Sequence, residues 1–220
     1  MPPKHVQTVR QLIYCQYAEP IAKAAGFERN YGFITSRYKK LLSGEMKWSS
    51  SLRDHIKELE KGSVCAYCGS TVGLLADHII PVSRAGVDPR ITKLLESADN
   101  CVCACRKCNS SKGDKDAFEW FGQERVGEIP KLVLSKFLKL AYDIHETQGT
   151  LDLKDPNMDG VLDIYDLDVV ITHLISKMSE YGQWEGGGNG AWGSRIRARG
   201  GVCRDWRRYP AELCVLRKQA

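Results

Sequence analysis

At 220 residues the chain is long enough for one domain with appendages and too long to need disulfides in place of a core. Its composition, 43% hydrophobic and 27% charged, excludes a wholly disordered, collagen-like or membrane-embedded protein. No apolar run reaches the ~18 residues of a bilayer span, and Met1 to His5 lack a signal-peptide core, so a soluble, cytoplasmic protein is expected.

The net charge of +5 is unevenly placed. Residues 1–64 hold 11 Lys and Arg against 6 Asp and Glu (+5), 65–130 hold 8 against 9 (−1), 131–181 hold 5 against 9 (−4), and 182–220 hold 8 against 3 (+5). Basic flanks around a carboxylate-bearing centre suit a chain that meets a polyanion, although solvated Lys and Arg faces are common in any protein.

Residues 1–64 read as a helical N-terminal region. Val6, Val9, Leu12 and Ile13, then Ile21, Ala22 and Ala25, recur at helical intervals until Gly26 closes the run. Further helices are expected over about Ile34 to Leu42 and Ser51 to Glu60. Arg29, Arg37, Lys39, Lys40, Lys47, Arg53 and Lys57, interleaved with Tyr31, Tyr38 and Trp48, make this region either a DNA-docking surface or a helical cap with an ordinary charged exterior. His55, His145 and His173 are read as structural or exposed.

The nine cysteines are the strongest signal. Cys65 and Cys68 form one C-x-x-C and Cys105 and Cys108 a second, and two such knuckles suit a tetrahedral structural zinc, against the alternative of a redox C-x-x-C or unrelated turns. Cys101 and Cys103 share a strand face with Cys105 and are read as small buried hydrophobes, with competition for the ion as the alternative.

Between and after the knuckles the chain carries LLADHIIPVSRAG over 74–86, then Ala98-Asp99-Asn100, and Cys108-Asn109-Ser110-Ser111-Lys112-Gly113. In these residues it closely resembles the HNH endonuclease family, in the version whose ββα-metal core is braced by a four-cysteine zinc. The resemblance covers residues 65–121 and implies an α+β fold with a nuclease core at 65–130. It implies Asp77 and Asn109 as ligands of a catalytic metal, His78 as general base and Asn100 as the residue that orients the histidine strand.

Those roles fit the chemistry. Phosphodiester hydrolysis needs a base for water and a cation for the charge growing on phosphate. An imidazole of pKa roughly 6.5 can be that base, and two oxygen ligands leave room for waters and phosphate, as Mg²⁺ or Mn²⁺ prefers over a second zinc. Arg106 and Lys112 are candidate phosphate contacts or, equally, members of a solvated face.

Beyond the core, 114–121 is expected to continue the helix that carries Asn109, and Pro130 to open a helix to about Glu146 with Leu132, Val133, Phe137, Leu140 and Ile144 inward. Asp155, Asn157, Asp159, Val161, Asp163 and Asp166 then fall at ligand positions of a Ca²⁺ loop with Gly160 at its turn. The loop resembles one dockerin repeat, with a solvated acidic turn as the alternative, and no cohesin-type partner is expected for a single repeat. It belongs to a helical extension, 131–181, whose last helix runs from Leu167 to about Met178.

Residues 182–220 carry 8 of the 20 glycines and a series of arginines, and read as a disordered tail, either a basic arm or an inert extension. The expectation is therefore metal-dependent cleavage of DNA leaving 5′-phosphate and 3′-hydroxyl ends, with a zinc-braced binding module lacking turnover as the competing reading. Cutting both strands would call for a homodimer or a second encounter.

Overall fold

The computed structural model describes residues 3–48, 64–86 and 88–167. The expected helix over 51–60, the helix expected to run on to Met178 and the glycine-rich tail lie outside the described residues, as do His55 and His173.

Helix α1 spans Val9–Ala24. Thr8 caps it, its hydroxyl accepting from Gln11 N, and Val9, Leu12, Ile13, Tyr17, Ala18, Ile21 and Ala22 line its buried side. Pro20 lies buried inside this helix and withholds one backbone donor, and the helix runs on for another turn beyond it. Gly26 ends the run at φ +77°, a conformation costly for any side chain with a Cβ. Helix α2, Tyr31–Leu42, is capped by Asn30, which accepts from Phe33 N at 3.0 Å.

A two-stranded antiparallel hairpin follows: β1, Leu74–His78, pairs with β2, Cys101–Cys105, in the register Leu74 to Cys105, Asp77 to Val102 and His78 to Cys101. Helix α3, Pro89–Leu95, sits in the crossing between the strands; Asp88 caps it and Ile91 and Leu95 point into the core. No expectation covered this helix, whose two buried residues are too few to show a period.

Helix α4 covers Arg106–Lys112 and starts directly from β2, with Cys105 Sγ in the capping position. The expected continuation of this helix to Phe121 does not occur. Gly113 adopts φ +55° and breaks it, and Asp116 and Glu119 then form a reciprocal capping box that nucleates a separate helix, α5, Ala117–Phe121. Helix α6, Lys131–Gln148, matches the expected inward stripe, and Gly149 closes it in the left-handed region.

The architecture is α+β. One contiguous core joins α1, α2 and α6 to Ile79 and Ile80 after β1, Ile91 and Leu95 of α3, and Phe118 of α5, whose ring meets Phe137 edge-on with centroids 4.7 Å apart. The chain after α6 returns to the start of α1: Val9 N and Arg10 N donate to Leu153 O and Leu151 O, and Arg10 pairs with Asp152 at 3.0 Å. Tyr38, expected among the displayed aromatics of the N-terminal region, belongs to this core at 6% exposure, and Trp48 packs on Tyr14, Tyr17 and Tyr142. Among the described residues no helix is long and apolar enough to cross a membrane.

His145, at the end of α6, is fully buried with Nδ1 3.0 Å from the Thr150 hydroxyl. Burial lowers its pKa to about 4, against a smaller opposing pull from the Leu167 backbone. The unfolded chain, with an ordinary histidine near pH 6.5, therefore binds one more proton between those values. Stability is full above about pH 6.5 and falls as the pH drops toward 4, by about 3 kcal/mol for this group. Urea unfolding across that range should show the slope in the wild type and a shallower one in His145→Gln; parallel slopes would contradict it.

Candidate active site and metal centre

The hairpin brings the two knuckles together. Cys65 and Cys68 precede β1, Cys105 ends β2 and Cys108 lies in the first turn of α4, and all four sulfurs lie within 4.8 Å of one another. Cys68 Sγ is 3.7 Å from Cys105 Sγ, against the edge of about 3.8 Å that zinc–sulfur bonds of about 2.3 Å give in a tetrahedron. The donor set and its spacing fit a structural zinc.

Backbone bonds shape both turns around that point: Cys65 N donates to Ser70 O, Gly69 N to Cys65 O, Ala66 N to Cys103 O and Arg106 N to Gly73 O. The Cys105 thiol is lowered to about 7, first by the Cys108 N–H that donates to its sulfur, whereas burial pushes Cys108 up. Cys101 and Cys103 stand outside the cluster and are half-buried instead of the buried hydrophobes expected.

The end of β1 carries the next group. Asp77 and His78 are consecutive on a strand and emerge on opposite sides of it. Asp77 is 6% exposed, and both its oxygens have partners: Tyr67 OH donates to Oδ2 at 2.6 Å and Lys112 Nζ to Oδ1 at 3.3 Å. Lys112 also donates to His78 O at 2.6 Å. This contact puts the face of α4 that holds Lys112, and Asn109 one turn earlier, against β1.

His78 is half-buried, and burial lowers its pKa; the Asp77 carboxylate opposes and the Lys112 ammonium adds to the lowering. The Tyr67 phenol is pushed far up, first by burial and then by Asp77, so it stays a donor.

Asn100 is wholly buried and ties the segment after His78 in place. Its Oδ1 accepts from Ile80 N at 2.9 Å, its Nδ2 donates to Ile80 O at 2.8 Å and Leu95 O at 2.6 Å, and its own carbonyl accepts from Ile79 N at 2.8 Å. One side chain thus locks the end of β1 to the end of α3.

Residues 65–115 match the family model described as HNH endonuclease. This region is an HNH endonuclease domain. No curated protein and no solved structure matches the chain.

The HNH domain places the residues singled out in its sequence as follows. Asp77 and the carbonyl of His78 are joined to α4 through Lys112, one turn beyond Asn109; the His78 side chain leaves β1 on the side opposite Asp77, and Asn100 holds the segment that follows it. Arg106 is exposed at the start of α4. Lys112 is not on a solvated face: at 2% exposure it is an interior cation, paired with Asp77. Tyr67 escaped the sequence reading because nothing in C-x-x-C spacing marks the residue between the cysteines, and only the folded register shows it reaching Asp77.

The acidic loop lies apart. Gly160 turns at φ +87°, as a calcium loop needs, and the carboxylates accept from the loop's own amides: Asp155 accepts from Asp159 N and Gly160 N, Asp159 from Val161 N, Asp163 from Tyr165 N, and Asp166 from Asn157 N and Asp163 N. Among the described residues the four cysteines are the only group of three or more Cys, His, Asp or Glu whose ligand atoms gather closely enough for an ion. Burial and the neighbouring Asp155 and Asp163 raise Asp166 to about 6, with the two amide bonds opposing.

Truncating Asn100 to Ala leaves one buried N–H and two carbonyls without their partner, which costs about 3 kcal/mol. Chemical denaturation of Asn100→Ala should show that loss with the zinc retained; an unchanged midpoint would mean the segment after His78 is held by other contacts.

Proposed function

We propose that the protein is a metal-dependent DNA endonuclease that hydrolyses phosphodiester bonds with His78 as general base. What supports this reading is that Asp77 and His78, consecutive at the end of β1, are tied through Lys112 to the helix that carries Asn109, within an HNH domain whose four cysteines gather at one point. An HNH domain acts on nucleic acid, and DNA is the substrate proposed for this one.

Asp77 and Asn109 supply the hard oxygens that suit Mg²⁺ or Mn²⁺. Bound there, the cation neutralises charge building on the scissile phosphate and on the departing oxygen. His78, on the other side of β1, takes the proton of the attacking water. The water oxygen bonds to phosphorus as the bond to the 3′ oxygen breaks, and that oxygen takes a proton from solvent, leaving a 5′-phosphate and a 3′-hydroxyl. Asn100 orients the strand end that carries His78, and the exposed Arg106 guanidinium can meet the backbone phosphate. Lys112, enclosed beside Asp77, acts on the carboxylate and not as a surface phosphate contact.

The docking surface in this reading is the basic side of the N-terminal region. Tyr31 stands 84% exposed on α2 in line with Lys39, and Arg29 precedes it, while Tyr38 and Trp48 are spent on the core.

The test is supercoiled plasmid incubated with the purified protein in Mg²⁺, in Mn²⁺ and in EDTA, beside a His78→Ala variant with full zinc content. Wild type should nick or linearise the plasmid in the divalent cations only, and the variant should lose at least ~100-fold of that rate. If both proteins bind DNA alike and neither cuts, the chain is a zinc-braced binding module. The proportion of linear to nicked product reports whether two sites act together.

A further inference from the structure

Of the two residues that hold the Asp77 carboxylate, one comes from each half of the zinc site. Tyr67 lies between Cys65 and Cys68 of the first knuckle; Lys112 ends the helix that starts at the second. Their contacts are unequal. The Tyr67 hydroxyl is 2.6 Å from Oδ2, a short hydrogen bond to an anion, whereas Lys112 is 3.3 Å from Oδ1 and makes its closer bond, 2.6 Å, with His78 O.

The Tyr67 ring is held in place. It meets Trp120 edge-on, centroids 5.0 Å apart, and Trp120 Nε1 donates to Ser111 of α4 at 3.2 Å. On its other side the backbone of the knuckle is pinned by Ala66 N to Cys103 O and by Gly69 N to Cys65 O. A phenol fixed at both ends can set the plane and rotation of the carboxylate it touches, in the way outer partners orient the ligands of metals elsewhere.

We propose that Tyr67 is the positioning residue of Asp77: from its place in the first knuckle it fixes Oδ2, and so presents Oδ1, which Lys112 touches only at 3.3 Å, to the divalent cation as a pre-oriented ligand. This rests on Asp77 being a ligand of that cation. The four-cysteine zinc then does more than brace the fold, since it sets the geometry of a carboxylate on the neighbouring strand through one hydroxyl.

The experiment is Mn²⁺ binding to the full chain, followed by calorimetry or by loss of the free-ion paramagnetic resonance signal, for wild type, Tyr67→Phe, Trp120→Leu and Asp77→Ala. Zinc content and thermal midpoint are recorded for each. Tyr67→Phe removes one oxygen, and should keep its zinc while binding Mn²⁺ about 10-fold more weakly or worse. Its apparent KM for Mn²⁺ should rise while kcat at saturating Mn²⁺ is largely kept. Trp120→Leu, which keeps the phenol but frees the ring, should shift binding in the same direction by a smaller factor, and stands in if Tyr67→Phe loses zinc.

If Asp77→Ala abolishes Mn²⁺ binding while Tyr67→Phe and Trp120→Leu bind as wild type does, the positioning role is overturned and the ligand assignment stands. If Asp77→Ala binds Mn²⁺ as tightly as wild type, the ligand assignment itself fails, and the role of Tyr67 with it.

Discussion

The rest of the domain depends on the convergence of four sulfurs on one point. Cys65 and Cys68 come from a loop, and Cys105 and Cys108 from the junction of β2 with α4, so meeting within 4.8 Å fixes the start of β1, the end of β2 and the first turn of α4 at once. A hairpin of two five-residue strands is marginal by itself in water. A tetrahedral ion among the four sulfurs would tie it at one end, and with a helix packed along one face it would become a rigid carrier for the two residues at its other end, Asp77 and His78. Structural zinc contributes folding free energy of this kind outright, and its binding is coupled to loss of thiol protons.

That rigidity allows an interior charge. Asp77 and Lys112 are both almost fully enclosed, an arrangement stable only when each group keeps partners, because removing one leaves the other as an uncompensated buried ion. Tyr67, Lys112 and the carbonyl of His78 make a closed set with the carboxylate. Asn100 performs the corresponding task for the backbone beyond His78, and the apolar residues around it, Ile79, Ile80, Ile91 and Leu95, belong to the core shared with α1 and α6. The helices on either side of the HNH domain are thus part of what holds the end of β1 still.

Much of this was legible in the sequence, and the reasons differ by residue. The gathering of Cys65, Cys68, Cys105 and Cys108 could be read because C-x-x-C spacing is itself a geometric statement about one ion. The helical stripes of α1 and α6 could be read because their periods extend over several turns. The break at Gly113 was missed because the polar run from Asn109 to Asp116 has no apolar period whose loss would mark an end, while the deciding features are a positive φ and a capping box between Asp116 and Glu119. The burial of Lys112 was missed because a lysine in a polar stretch reads as solvated until the register places a carboxylate opposite it. Tyr67 was missed for the same reason, its partner lying ten residues on across a turn. In the acidic loop the pattern of carboxylates and Gly160 was legible, but their engagement by the loop's own amides depends on a backbone path that the pattern does not specify.

On the proposed function, one small frame would hold two different metals: a soft-ligand site that builds it and a hard-ligand site that it presents. Anomalous diffraction from crystals of the full chain grown with Mn²⁺, collected at the zinc and manganese edges, tests this most directly. The account predicts a zinc peak about 2.3 Å from the sulfurs of Cys65, Cys68, Cys105 and Cys108, and a separate manganese peak bonded to Asp77 on the side of Asn109. A manganese peak away from Asp77, or no zinc among the four sulfurs, would contradict it.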